Sequence, residues 1–217
     1  MNISSTSFNT TYWQNRYATS DTPWEIGYAS PPLVAYFDKL LEQSEENKNL
    51  NILIPGGGSS HEAEYLHNKG FKNVYVLDVA HKPLEEFAKR CPTFPKEHLL
   101  QDDFFQFEGE QSEYFGFFDL IIEQTFFCAL DPRLRTDYAK KMHQLLKKGG
   151  KLTGLLFDFP IQEEQDSPPF GGNANEYRAI FEPYFEIKTL KRCYNSIKPR
   201  QGTELFIKMI NDKPKTI

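Results

Sequence analysis

The sequence predicts an α/β protein built on a doubly wound, seven-stranded, mostly parallel sheet that ends in an antiparallel pair of strands. Short apolar runs of strand length alternate with amphipathic stretches of helix length, the pattern of successive strand–helix units. The chain has 217 residues, a length typical of one domain, and 39% of them are hydrophobic and 15% aromatic. This apolar content can form a buried core and excludes a disordered chain.

Five predicted strands are short, largely apolar runs, and they cover residues 50–55, 73–78, 97–101, 118–123 and 151–159. The run at 118–123 is almost continuously apolar, as expected for a strand that is covered on both faces. Two further runs, 185–193 and 203–210, are separated by a polar loop at 195–202. They predict the antiparallel pair.

Amphipathic stretches between the strands predict helices, which we place at residues 59–69, 82–90, 132–148 and 175–181. Pro132 suits the first turn of the third helix, where its missing N–H costs nothing. Lys147 and Lys148 suit the negative C-terminal end of a helix dipole. Gly149 and Gly150 then predict the end of this helix.

Residues 1–45, which precede the predicted sheet, are too few for a separate domain. They contain both tryptophans of the chain, Trp13 and Trp24, followed by an amphipathic stretch at 33–41. We therefore predict a single domain over residues 1–217. In it, residues 1–45 form a helical cap over one end of the sheet and residues 46–217 form the core.

Composition also limits the partners and the compartment. The net charge of −5 leaves no surplus of Lys and Arg for a nucleic acid or an anionic membrane surface. No apolar run approaches the ~20 residues that span a bilayer, and the first residues do not resemble a signal peptide. We therefore expect neither nucleic acid nor membrane as a partner.

The cysteines and histidines do not predict a metal site. Three widely spaced cysteines fit neither a disulfide framework nor a zinc ribbon, and they favour a reducing cytoplasm. The five histidines show no metal-ligand spacing. We therefore expect a cytoplasmic protein without a metal ion.

Chemistry-bearing residues follow the predicted strands at the edge where open α/β sheets bind ligands. Gly56 and Gly58 belong to a glycine turn that allows close approach of a ligand to the backbone. Asp78 ends the second strand, twenty residues after Gly58. This spacing is typical of a carboxylate that binds ribose hydroxyls. Asp102 and Asp103 follow the third strand, where they can hold an adenine amino group. Each signal alone also suits a plain turn or cap, but together they predict an adenosine site.

The ligand is better explained as an adenosine compound without a pyrophosphate. His61 stands where a dinucleotide fold places its third glycine, and no Gly-Lys-Ser/Thr phosphate loop occurs. S-adenosylmethionine fits, because its sulfonium cation is attracted to aromatic faces. Trp13, Tyr17 and Trp24 can close over such a ligand; the alternative is that these rings only pack in the core.

Several motifs are familiar as a set. They include a Pro-Trp-x-x-Gly element at 23–27 and a Thr-Phe-Phe-Cys-Ala run at 125–129, and the matching segments are 12–17, 22–27, 54–58, 77–78, 102–104 and 118–130. The chain resembles the thiopurine methyltransferase superfamily and, within it, the thiol/halide (thiocyanate) methyltransferases. The likeness extends from about residue 12 to residue 210.

The resemblance implies the class I S-adenosylmethionine-dependent methyltransferase fold, with a Rossmann-like core. It places the cofactor contacts at Trp13, Tyr17, Trp24, Gly56, Gly58, Asp78, Asp102, Asp103 and Gln124. Three residues depart from the family pattern. Tyr17 replaces a second tryptophan, Gly57 replaces a common cysteine, and Gln124 replaces the tyrosine usual in the thiol/halide enzymes.

We expect the acceptor between the cap and the loops after the fourth and fifth strands, with Phe127, Phe159 and Arg200 as substrate-binding residues. Phe126 is a further candidate. A soft anion needs little or no general base, so no catalytic residue is assigned.

The expected activity is transfer of a methyl group from S-adenosylmethionine to a thiol, thiocyanate, bisulfide or halide, with aryl thiols as further acceptors. S-adenosylhomocysteine is then the product of the cofactor. The alternatives are an N- or O-methyltransferase and a non-catalytic S-adenosylmethionine-binding protein. The modest net charge and the single domain favour a monomer.

Overall fold

The computed structural model describes residues 8–107, 113–162 and 165–214. Within these ranges the chain forms one sheet of seven strands in the order β3-β2-β1-β4-β5-β7-β6. The strands are β1 Asn51–Pro55, β2 Asn73–Asp78, β3 Leu99–Gln101, β4 Phe118–Gln124, β5 Leu146–Phe157, β6 Glu186–Arg192 and β7 Glu204–Ile210. The α-helices are α1 Thr10–Ala18, α2 Pro31–Gln43, α3 His61–Asn68, α4 His81–Arg90, α5 Arg135–Leu145 and α6 Ala174–Phe181.

Strand direction confirms the predicted mixed sheet. β1 runs parallel to both β2 and β4, β2 is parallel to β3, and β4 is parallel to β5. β7 lies antiparallel between β5 and β6, which is the predicted terminal pair. The strand order reverses between β1 and β4, and a crevice forms at such a reversal because the connecting helices leave on opposite faces.

Two apolar clusters cover the faces of the sheet. On one face, Tyr138 and Met142 of α5 and Phe181 of α6 are buried with strand residues such as Ile121. On the other, helices α2, α3 and α4 pack against strand residues such as Ile52. The strands β1 and β4 are therefore covered on both sides, which explains their nearly continuous apolar sequence.

Residues 1–45 were predicted to form a cap, but helix α2 within them does not lie over the strand ends. Its Leu33, Phe37 and Leu40 are buried with Ile52 and Leu66 in the cluster under the sheet. Because α2 shares this core, it belongs to the helical layer of the sheet. The segment that lies over the strand ends is α1 with the loop that follows it.

The helix predicted over 132–148 ends earlier than its sequence pattern indicates. A 3₁₀ turn covers Pro132–Leu134, α5 ends at Leu145, and β5 begins at Leu146. The side-chain amide of Asn211 donates to the carbonyls of His143 and Leu146, at 3.0 and 2.8 Å, and so caps the helix. The lysines and glycines predicted to close the helix therefore lie in β5. No helix in the described ranges is both long and apolar enough to cross a membrane.

Candidate active site

A cavity of about 810 Å³ lies at the carboxyl ends of the parallel strands, across the reversal of strand order. Most of the predicted site residues line it, together with the further candidate Phe126: Trp13, Tyr17, Trp24, Gly56, Gly58, Asp78, Asp102, Asp103 and Arg200. Its size is in the range typical of small-molecule sites. The strand ends thus bring residues from distant parts of the chain to one place.

The glycine loop after β1 requires glycine at two positions that face the cavity. Gly56 and Gly58 have φ of 58° and 51°, in the left-handed region that side chains disfavour. A Cβ atom on Gly56 would overlap the ring of Phe126, and one on Gly58 would overlap the hydroxyl of Tyr17. The backbone of the loop is therefore directly apposed to the walls of the cavity.

Asp78 joins the end of β2 to the glycine loop. Its Oδ2 accepts from the Gly58 N–H and its Oδ1 from the Ala80 N–H, both at 2.8 Å. Burial raises the pKa of this carboxyl to about 6, although those hydrogen bonds oppose the shift. Each carboxylate oxygen has a second lone pair, so Asp78 can still accept a hydrogen bond from a hydroxyl group of a ligand in the cavity.

Asp102 and Asp103 form a turn beside Asp78. The Asp102 N–H donates to the Asp78 carbonyl at 3.2 Å, and Oδ1 of Asp103 accepts from the Phe105 N–H at 2.9 Å. Between them and the loop after β4 lies Phe104, whose ring centre is 5.2 Å from that of Phe126. This corner of the cavity combines carboxylates with a flat apolar wall.

Three aromatic rings of the cap line the cavity from the other side. The ring of Trp24 lies edge-on to those of Trp13 and Tyr17, with centres 5.6 and 5.9 Å apart. The guanidinium of Arg16 lies 4.8 Å from the centre of the Trp24 ring, and the Trp13 indole N–H donates to the Phe8 carbonyl at 3.1 Å. The rings therefore both pack together and face the cavity.

Arg200 reaches the cavity from the loop between β6 and β7. Its Nη2 donates to the Trp24 carbonyl at 2.7 Å, and its Nη1 lies 3.7 Å from Oε1 of the buried Glu204. The guanidinium is 5.8 Å from the centre of the Phe157 ring. Arg200 thus connects this loop to the cap and places a cation at the wall of the cavity, beside Phe157.

Three predicted site residues do not line the cavity. Phe127 is buried in the core, where its ring packs against Tyr138 at 5.0 Å between centres, and Phe126 forms the wall instead. Phe159 packs against Phe157, and its carbonyl accepts from the Gly172 N–H at 2.8 Å. Gln124 does not face the cavity because alternation along β4 puts its side chain on the α2 face of the sheet.

Glu123 holds the loop that carries Phe126. It is fully buried, and its Oε1 accepts from the N–H groups of Phe126 and Phe127, each at 2.9 Å. Its Oε2 accepts from the Tyr138 hydroxyl. Burial raises the pKa of Glu123 to about 7. The carboxyl acts on the cavity through the loop and not by direct contact.

Sequence reasoning missed Glu25, Arg16 and the pair Pro168–Pro169, which also line the cavity. Glu25 directly follows Trp24, which was predicted to face the ligand. This position next to a predicted site residue could have indicated Glu25. The two prolines carry no comparable signal in a loop. No group of three or more metal-ligating side chains occurs among the residues that the structure describes.

The fold and the cavity define a class of protein. The chain matches the Burkholderia thailandensis 1,6-didemethyltoxoflavin-N1-methyltransferase, crystallised with S-adenosylhomocysteine, with a TM-score of 0.73 at 15% identity over 95% of this chain and 88% of that one. This is the class I S-adenosylmethionine-dependent methyltransferase fold.

Sequence comparison identifies the family. Residues 8–217 match the thiopurine S-methyltransferase family, and the chain belongs to it. It is 31% identical to a probable thiol methyltransferase 2 of Arabidopsis thaliana and 29% to thiocyanate methyltransferase 1 of Brassica oleracea. Each match covers 88% of this chain and 81% of the relative. The protein is an S-adenosylmethionine-dependent methyltransferase.

The residues present suit that cofactor. The glycine loop lines the cavity with backbone that carries no side chains, which allows a ligand to approach it closely. Carboxylates at the ends of β2 and β3 match the hydrogen-bond donors of an adenosine group, and the half-buried rings of Trp13 and Trp24 suit a sulfonium cation.

Proposed function

We propose that the protein transfers the methyl group of S-adenosylmethionine to a small soft nucleophile, such as a thiol, thiocyanate, bisulfide or halide. The observation that carries this proposal is a single cavity with two chemically different ends. One end has the glycine loop and the carboxylates, and the other has aromatic rings, prolines and the cation of Arg200. The names of the thiol and thiocyanate methyltransferase relatives support the same acceptor class.

In this proposal the cofactor lies along the strand ends. Asp102 and Asp103 hold the adenine group, and Asp78 accepts the ribose hydroxyls. The remaining proposed contacts are the glycine loop and the cap rings, namely Gly56, Gly58, Trp13, Tyr17 and Trp24. Gln124 is left out of direct contact because its side chain does not line the cavity.

The acceptor lies at the apolar end in this proposal. Phe126, Phe157 and the Pro168–Pro169 pair form its walls, and Arg200 attracts an anion. These walls are suited to a large, weakly hydrated anion because its transfer from water costs less than that of a small, strongly hydrated one. The same walls exclude water from the reacting atoms.

Bound S-adenosylmethionine supplies a methyl group on a positively charged sulfur, which leaves as a neutral thioether. The protein then has to align the acceptor with the bond that breaks, and alignment of this kind can be worth roughly 7–11 kcal/mol. The cap rings stabilise positive charge, and the walls around Phe126 hold the acceptor in line. An anionic acceptor has no proton to lose, so the proposal needs no general base.

We also propose a cytoplasmic monomer. All three cysteines, Cys91, Cys128 and Cys193, are buried and free, as is usual in a reducing compartment. The proposed cofactor and acceptor contacts come from one chain, so a site of this kind does not require a second subunit.

Methyl-labelled S-adenosylmethionine tests the proposal with thiocyanate, iodide, bisulfide, an aryl thiol, an aryl amine and a phenol in separate reactions. We expect label on the soft acceptors at least about tenfold faster than on the amine or phenol. A Gly56→Val variant is the inactive control, because its side chain would overlap Phe126.

Two results would contradict the proposal in different ways. Label on the amine or phenol alone would make the protein an N- or O-methyltransferase. Binding of the donor with no transfer to any acceptor would indicate a non-catalytic binding protein.

A further inference from the structure

Glu25 is a carboxylate in the cavity that neither the adenosine contacts nor the acceptor contacts use. It directly follows Trp24 and lines the cavity, with a side chain that is 24% exposed. Its Oε2 lies 3.2 Å from Nε2 of His61, the first residue of α3. The two residues are 36 positions apart in sequence, so the cap and the helix after the glycine loop meet at this pair.

The carboxylate is held in its charged form. Burial acts to raise the pKa of Glu25, but hydrogen bonds with His61 and Ser59 outweigh it and lower the pKa below its ordinary value. A partly buried anion is costly unless cations or donors surround it. His61 faces Oε2, whereas Oε1 is directed toward the glycine loop, 3.8 Å from where a Cβ on Gly58 would lie.

The sheet order indicates which part of the cofactor reaches Glu25. From β3 through β2 and β1 to β4, the strand ends carry Asp102–Asp103, Asp78, the glycine loop and then Phe126. A donor with adenine at the first position and ribose at the second has its methionine portion over the glycine loop. The α-ammonium group is the cation of that portion that forms hydrogen bonds.

We propose that Glu25 binds the α-ammonium group of the methionine portion and that His61 positions Glu25 for this contact, an inference that rests on the proposed function. Arg16 also lines the cavity, but its guanidinium pairs with Asp21 at 2.8 Å and lies over the Trp24 ring, so the proposed contact rests on Glu25 alone. His61 is a positioning residue because its proposed effect passes through Glu25.

Calorimetry with two ligands isolates this contact from the rest of the site. S-adenosylhomocysteine contains the amino acid portion, whereas 5′-methylthioadenosine keeps the adenosine and the sulfur but lacks the ammonium and carboxylate groups. A Glu25→Gln variant is expected to bind S-adenosylhomocysteine roughly tenfold or more weakly, the scale of a lost charged hydrogen bond. Its affinity for 5′-methylthioadenosine is expected to stay within about twofold of wild type.

Two further variants complete the design. Glu64→Gln is the matched control. Glu64 belongs to α3, as His61 does, but its carboxylate pairs with Arg90 at 2.7 Å and does not line the cavity. It is expected to bind both ligands as wild type does. His61→Gln is expected to weaken the binding of S-adenosylhomocysteine more than that of 5′-methylthioadenosine. A general loss of structure would weaken both alike.

The outcomes separate this inference from the proposed function. Unchanged binding of S-adenosylhomocysteine by Glu25→Gln, or an equal loss of both ligands, would overturn the role of Glu25. Wild-type protein that binds neither ligand would contradict the proposed cofactor site itself. If Glu25→Gln does not fold, wild-type protein decides the question with an analogue that has a hydroxyl in place of the ammonium. That analogue is expected to bind roughly tenfold more weakly, and equal binding would overturn the inference.

Discussion

Gly58 and Tyr17 are in such close contact that each restricts what the other position can be. Gly58 has a left-handed φ of 51°, and a Cβ there would overlap the Tyr17 hydroxyl. Gly58→Ala therefore combines a backbone cost of about 1–2 kcal/mol with a steric cost. Tyr17→Phe removes the overlapping atom, so Gly58→Ala should destabilise the Tyr17→Phe protein by about 1 kcal/mol less than it destabilises wild type.

Urea unfolding of the four proteins in this cycle measures the difference. Gly149→Ala is the control, because Gly149 has a φ of 78° with no atom within 4 Å of its Cβ position. Its cost should be the same with Tyr17 or Phe at position 17. Additive effects of Gly58→Ala and Tyr17→Phe would show that the hydroxyl does not lie against the loop.

The sequence indicates some residues of the cavity better than others, for a physical reason. Asp78 and the glycine loop directly follow buried strands, so their position at the strand ends follows from the pattern of apolar residues. Phe126 and Phe127 are adjacent aromatics after β4, and only the turn decides which of them faces the cavity. That turn depends on Thr125 at a φ of 57° and on the Glu123 hydrogen bonds, and neither is visible in the sequence.

At the scale of elements, Glu123 and Tyr138 connect β4, the loop after it and α5. The pKa of Glu123 is raised to about 7, so the folded protein binds more protons than the unfolded chain between about pH 4.5 and 7. This group therefore contributes most to stability below that window, and its contribution is lost as the pH rises through it.

A Glu123→Gln variant tests this linkage. Its amide can accept from the same two N–H groups and donate to Tyr138, but it does not titrate. We expect the stability of wild type relative to this variant to fall between pH 5 and pH 8, by an amount on the order of 2–3 kcal/mol. Urea unfolding at a series of pH values provides the measurement.

Tyr138→Phe distinguishes titration of Glu123 from other pH effects. It keeps the carboxyl but removes a hydrogen bond that lowers the Glu123 pKa. The pH dependence should therefore remain and extend to higher pH. A stability difference between wild type and Glu123→Gln that does not change with pH would remove Glu123 as the titrating group.

Element boundaries were predictable where local pattern decides them. The sequence predicts β2 correctly at 73–78, because an apolar run ends there at an aspartate. It does not predict that α5 ends at Leu145, because the cap comes from Asn211, which is 65 positions from Leu146. Long-range hydrogen bonds of this kind leave no periodic signal in the helix itself.

For the whole molecule, the order of the strands creates the cavity and α1 with its following loop covers it. The hydrogen bond between Arg200 and the Trp24 carbonyl joins that cover to the loop between β6 and β7, across 176 positions of sequence. The sequence predicts this arrangement in outline, but it assigns α2 to the cap. An amphipathic stretch alone does not reveal whether its apolar face meets a cavity or the face of a sheet.

A crystal structure with S-adenosylhomocysteine and thiocyanate tests the central claim, that one cavity holds donor and acceptor together. We expect adenosine between Asp102 and Asp78, with the thioether sulfur beneath Trp13 and Trp24. We also expect thiocyanate at the apolar end between Phe126 and Arg200, in line with that sulfur. S-adenosylhomocysteine outside this cavity, or thiocyanate bound elsewhere while the apolar end holds only water, would contradict it.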